Sequence, residues 1–182
     1  INENMYSNDI GPGNCLIDQW IRINSDKQYD EKGNLAKSGK INKIVLNKAL
    51  KKFKNGNHFK TYDVKDFDLS FVHGMSLEDG AATLTEYTSE ILNKKLKTLC
   101  KSSRENIIIT GGGRKNNFLI KKIKEKINIP LKLIDVFGIN GDFVESQAFA
   151  YLAIRSYLNL PISFPETTGV SVPSTGGIII KY

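Results

Sequence analysis

Three glycine-bearing turns carry the residue types from which a chemical site could be built. The first, Asp9-Ile10-Gly11-Pro12-Gly13-Asn14, sets a carboxylate ahead of two glycines. The second, Thr110-Gly111-Gly112-Gly113 followed by Asn116, offers bare backbone that a ligand can approach closely. The third, Gly138-Ile139-Asn140-Gly141-Asp142 with Glu145, supplies further carboxylates. If each turn joins a strand end to a helix start, a parallel α/β sheet sets all three on one edge. Acidic groups and free amides around one ligand suit phosphoryl transfer. In that chemistry positioning and charge stabilisation dominate, and a carboxylate need only accept a proton and orient the nucleophile. Each group also has a structural use: Asp9 could cap its own turn, and Asp142 with Glu145 has the spacing of a helix capping box. The glycine turn is not a P-loop, since no Gly-Lys-Ser/Thr follows at the required spacing.

The elements that must position these turns are legible from periodicity. Ile107, Ile108, Ile109 and Thr110 read as a short strand buried on both faces, because β-branched residues suit a covered pleated surface. The helix after it has Asn116 or Asn117 as N-cap and buries Leu119, Ile120, Ile123 and Ile127. Pro130 ends that pattern, and residues 131–136 read as a second buried strand with Asp135 near its C-terminal end. Residues 143–158 form a long helix with Val144, Ala148, Tyr151, Leu152 and Arg155 along it. Upstream, residues 5–9 suit a short strand, and Asn14 caps a helix whose stripe is Leu16, Ile17, Trp20 and Ile21. Residues 24–37 read as an exposed polar excursion. Ile41, Ile44, Val45, Ala49 and Phe53 mark an amphipathic helix that stops before Asn55. Ser76 and Asp79 then open a long helix burying Leu84, Tyr87, Thr88, Ile91, Leu92, Leu96 and Leu99. Helices alternating with strands imply parallel pairing in an α/β fold.

The chain has 182 residues, enough for one domain or for one lobe of a larger protein. Its net charge of +7 comes from lysines spread along predicted helices without interleaved aromatics, which argues against a nucleic-acid partner. No run approaches membrane-spanning length. Cys15 and Cys100 read as reduced, buried thiols of a cytoplasmic protein, and His58 and His73 stand apart from any metal-type ligand set. The chain opens on Ile-Asn-Glu-Asn, which suggests a fragment or processed piece.

In the order Asp9 to Asn14, Glu78-Asp79-Gly80-Ala81-Ala82-Thr83-Leu84 with Thr88, Thr110 to Gly113 with Asn116, and Gly138 to Asp142 with Glu145, Ala148, Phe149 and Ala150, the chain closely resembles the anhydro-N-acetylmuramic acid kinase family. Arg155, Leu160-Pro161 and Pro165 with Thr168-Gly169 extend the resemblance over almost the whole chain. The resemblance implies the actin, Hsp70 and hexokinase superfamily: two ribonuclease-H-like lobes, each a mixed sheet flanked by helices, around an ATP cleft. Residues 1–182 would be a single domain, the C-terminal lobe, without its first strand or strands and without the other lobe. The implied reaction uses ATP and water to open 1,6-anhydro-N-acetylmuramic acid and phosphorylate its 6-hydroxyl, in cytoplasmic cell-wall recycling. By matched position Asp9 would be the general base. Glu145, Gly11, Gly13 and Asn14 would lie against the sugar, and Gly111, Gly112, Gly113 and Asn116 would line the nucleotide side. Mg²⁺ is expected with ATP, and the family admits a homodimer. Residues 60–67 depart from the family's Ser-Thr-Gly-Arg-Glu-like run and lack its arginine. Another sugar kinase or ATPase of the superfamily, or a non-catalytic nucleotide- or protein-binding lobe, stays open as an alternative.

Overall fold

The computed structural model describes residues 7–54, 62–99 and 106–180. Their order is α1 (Cys15–Asn24), α2 (Asn34–Ser38), α3 (Lys43–Lys54), α4 (Leu77–Leu99), β1 (Ile107–Ile109), α5 (Asn117–Lys124), β2 (Leu131–Leu133), α6 (Val144–Tyr157) and α7 (Pro165–Thr168), with short 3-10 turns between them. This is a mixed α/β chain, mostly helical. The expected parallel pairing is present: Ile107 pairs with Leu131, Ile108 with Lys132 and Ile109 with Leu133.

The core is organised on α4, which packs against α1, α2, α3 and α5. The α1 stripe holds as expected, with Leu16, Ile17, Trp20 and Ile21 all buried. Each aliphatic member stabilises the fold by about 1.5–3 kcal/mol relative to an exposed position. Trp20 satisfies its indole by donating from Nε1 to the Leu77 carbonyl at 2.9 Å. Phe53, Tyr62, Phe67 and Tyr87 form an aromatic cluster below it. Tyr62 and Phe67 lie in the stretch that departs from the family pattern, so that connector is anchored through the core. Ser76 accepts from the Asp79 amide at 3.2 Å, while the Asp79 carboxylate instead accepts from the Lys40 amide at 2.7 Å.

Several expectations are corrected. Residues 7–9 are irregular, and residues 5 and 6 of the expected strand, with His58 and Cys100, lie outside the described residues. Residues 24–37 are largely exposed, as expected, but they are tied to the core at Asp30, Gly33 and Ala36. Asp30 is buried and accepts hydrogen bonds from the Leu35 and Ala36 amides at 2.8 and 2.9 Å, so a carboxylate caps α2 and draws the segment inward. Cys15 is exposed, because the core face of α1 begins at Leu16. Ile44 and Leu99, expected on the buried sides of α3 and α4, are exposed. Neither strand is buried on both faces: Ile108 is half exposed, and β2 gives way at Ile134 to a 3-10 turn that ends at Phe137. With two strands only among the described residues, one face of the pair has no helix over it.

Candidate functional site

Asn14 and Asn116 make the central contact. Asn116 caps α5, its Oδ1 accepting from the Leu119 amide at 3.0 Å, as the sequence indicates. Its Nδ2 is then free to donate to Asn14 Oδ1 at 3.3 Å, across 102 positions of sequence. Asn14 makes no cap bond of its own to α1, which departs from the expected role. The first and second turns are thereby joined through one amide pair.

A cavity of about 790 Å³ opens beside this pair, lined by Asn14, Gly112 and Asn116 among others. Its other walls come from Asp18 and Arg22 of α1, from Arg114, Lys115 and Asp135, and from the stretch of residues 28–32. Gly33 explains how that stretch reaches the site. A Cβ there would fall 2.3 Å from Asn116 Oδ1, and the residue has φ +74°, so only glycine lets the chain press against the cap. Burial pushes the Asp18 carboxyl up, opposed by Arg22 nearby.

The third turn is tied in by Arg114, which the sequence reading missed. Its Nε donates to Asp135 Oδ2 at 2.8 Å, and its Nη1 to Asp142 Oδ1 at 2.8 Å and to the Gly111 carbonyl at 3.0 Å. Lys115 adds a second contact to Asp142 at 2.7 Å. Hydrogen bonds from Arg114, then from Lys115, hold the Asp142 carboxyl down to about 2; Asp135 is also lowered, chiefly by Arg114. The guanidinium is buried and its pKa is raised by the two carboxylates. Gly141 is required beside it, since a Cβ there would fall 2.4 Å from Nε. The partners lie 21 and 28 residues away, beyond any local charge pattern.

Asp142 is therefore not a helix cap. Phe143 takes the N-cap position of α6 without a side-chain bond, so the capping-box reading of Asp142 and Glu145 is replaced by the clamp. Glu145 is exposed, with no partner among the described residues. Asp9 is exposed too; its backbone carbonyl accepts from the Tyr62 amide at 3.1 Å, and its carboxylate is left to solvent. Gly11 packs near Leu92 and Ile91, whereas a Cβ at Gly13, Gly111, Gly112 or Gly113 would meet nothing. Asn14, Gly112 and Asn116 thus share one cavity; Asp9, Gly11, Gly13, Gly111, Gly113 and Glu145 do not line it. Among the described residues no group of three metal-type side chains converges, and no helix is long and apolar enough to cross a membrane.

A mixed α/β chain with glycine turns clustered beside a polar cavity is an arrangement suited to an anionic or nucleotide ligand. The family model described as anhydro-N-acetylmuramic acid kinase matches residues 1–182, and the chain belongs to that family. A protein of that name from Pelagibacter ubique is 48% identical, over 99% of this chain and 50% of its own length. Those named the same from Zymomonas mobilis and Caulobacter vibrioides are 40% and 37% identical, over 94% and 98% of this chain and 47% and 48% of their own. The chain spans about half the length of these curated relatives.

Proposed function

We propose that the protein is an ATP-dependent kinase that opens 1,6-anhydro-N-acetylmuramic acid with water and phosphorylates its 6-hydroxyl, giving N-acetylmuramic acid 6-phosphate, in the bacterial cytoplasm. In this reading residues 1–182 are the C-terminal, ribonuclease-H-like lobe of a two-lobed enzyme, and the rest of the relatives' length accounts for the other wall of the cleft. The observation that carries the reading is the Asn14–Asn116 pair, which draws the turn bearing Asp9 against the turn bearing the glycines at the edge of one cavity.

Asp9 acts as general base. Its carboxylate, unencumbered by any cap, accepts a proton from the water that attacks the anomeric carbon, and the freed 6-hydroxyl then becomes the phosphoryl acceptor. Gly11, Gly13 and Asn14 give the sugar close access to backbone near Asp9, and Glu145 accepts hydrogen bonds from the sugar. The nucleotide lies in the cavity beside Gly112, Asn116 and the neighbouring glycines, whose open surroundings fit a ligand laid against the main chain. The described residues offer no dedicated cage for Mg²⁺, and Asp135 and Asp142 are occupied by Arg114, so the ion fits best as a companion of the ATP phosphates. A homodimer of full-length chains is the assembly proposed with this reading.

The test is Asp9→Asn in the full-length enzyme. Loss of the phosphorylated product with ATP affinity within about threefold of wild type is expected, since the base contributes to the chemical step rather than to nucleotide binding. Wild-type turnover would remove Asp9 from this role.

A further inference from the structure

Away from the three turns, α3, α4 and Lys126, just past α5, border a second cavity of about 510 Å³. Small-molecule sites commonly occupy about 300–1,000 Å³. Leu50 and Phe53 of α3 and Ile91 of α4 give it apolar walls. Glu90, Asn93, Lys94 and Lys97 recur at helical spacing and give α4 one polar face toward it.

Asn93 sets this cavity apart. It is only 3% exposed, yet neither its side-chain oxygen nor its nitrogen has a hydrogen-bond partner. A carboxamide offers two donors and two acceptor positions, and native proteins rarely bury one unpaired. The charges around it are unequal in their freedom. The Lys126 ammonium donates to Glu86, Glu90 and Ser89, which also neutralises Glu90. Lys94 and Lys97 have no ion-pair partner among the described residues, so the uncompensated charge beside the amide is positive.

We propose that this cavity is a second binding site, for an adenine nucleotide. Adenine presents a donor and an acceptor side by side, the complement of a carboxamide, and asparagine reads it in this bidentate way elsewhere. The ring would lie between Phe53 and Ile91, and the phosphate would meet Lys94 and Lys97.

The experiment is a titration of the full-length protein with AMP, followed by NMR at the Asn93 side-chain amide and, separately, at the Gly112 backbone amide. A saturable shift of the Asn93 resonance is expected, with a midpoint distinct from that at Gly112. Ribose 5-phosphate, which has the charge without the edge, should bind at least about tenfold more weakly at Asn93. In Asn93→Leu the second midpoint, read from Phe53, should vanish; in Lys94→Gln/Lys97→Gln, a surface change, it should rise at least about tenfold. No shift at Asn93 on adding AMP overturns the proposal. So does Phe53 titrating unchanged in Asn93→Leu, or a higher melting temperature in that variant with no loss of AMP binding. Either result would mean that the amide holds only water.

Discussion

Adding one methyl group at Gly112 separates the structural use of the glycine turn from its proposed use as a nucleotide wall. A Cβ at Gly112 or Gly113 would have no heavy atom within 4 Å, and neither residue has a positive φ. Alanine at either position should therefore leave stability within about 0.5 kcal/mol of wild type, as for an ordinary surface change. Gly111 differs: its φ of +73° is strained for any residue with a Cβ. Gly111→Ala should cost about 1–2 kcal/mol, which for a domain of this size lowers the melting temperature by roughly 2–8 °C. The ligand sees the three positions in another order, because only Gly112 lines the 790 Å³ cavity. If ATP lies against that backbone, the methyl of Gly112→Ala overlaps it, and an overlap of this kind costs about 1–3 kcal/mol. The KM for ATP should then rise about 5- to 140-fold, at about 1.4 kcal/mol per tenfold. Gly113→Ala should change it by less than about twofold. The assay is ATP-saturation kinetics on the full-length enzyme beside thermal melts of the same preparations. A Gly112→Ala enzyme with wild-type KM, or equal effects at Gly112 and Gly113, would refute the placement.

At Gly39 the same methyl acts on stability instead: a Cβ would fall 2.0 Å from the Glu78 carbonyl oxygen, backbone that no rotamer change can move. Gly39→Ala should cost about 2–4 kcal/mol by overpacking and by loosening the neighbouring bond to Asp79, and an unchanged denaturation midpoint would contradict this close approach. Asp30→Ala should cost about 2–3 kcal/mol, since it leaves the part-buried Leu35 amide and the buried Ala36 amide unpaired; a loss below about 0.5 kcal/mol would show that α2 does not depend on that cap. Asp142 should titrate near pH 2 by NMR, and Arg114→Ala should return it toward about 3.9. Because its folded value is depressed, the clamp's contribution is complete above the ordinary carboxylate range and is lost as pH falls from there through about 2, so a wild-type midpoint near 4 would disprove it. The isolated chain should self-associate with rising concentration in light scattering, because Phe149 and Tyr157 are 64% and 68% exposed on α6; a monodisperse monomer would argue against this.

The sequence made visible what depends on local periodicity. The stripe of α1 and the Asn116 cap follow from spacing within a few residues, and the parallel pairing of β1 with β2 from the strand, helix, strand order. Several misreadings depended on contacts far along the chain. Residues 24–37 have the look of a polar loop because Asp30 and Gly33 are turn-formers; the Asp30 cap of α2 is local, but that Gly33 backs Asn116 emerges only when the chain folds over itself. Asp142 and Glu145 have capping-box spacing, yet a buried guanidinium that binds Asp142 outcompetes a helix end that solvent can satisfy. Ile107 to Ile109 have the composition of a doubly covered strand, but cover requires neighbours, and among the described residues β1 pairs with β2 alone. Asp9 and Glu145 stand out by type and by family position; no side-chain contact among the described residues marks either of them.

The two halves of the proposed site are held by different physics. Asp9, Asn14 and Asn116 belong to the unit packed on α4, where apolar burial sets their positions. Glu145 sits on α6, which buries no residue and packs substantially against none of α1 to α5. What orients α6 toward the glycine turn is largely the hydrogen-bonded clamp of Arg114 on Asp135 and Asp142, at the residue just before the helix cap. Charge-assisted bonds fix direction well but tolerate small shifts better than close packing does. In the proposed site Glu145 is therefore the partner held by the clamp rather than by packing. Loosening the clamp by Arg114→Ala should raise the KM for ATP as well as that for the sugar, because Arg114 and Asp135 also line the cavity beside Gly112 and Arg114 holds the Gly111 carbonyl; an unchanged KM for ATP in saturation kinetics would contradict this.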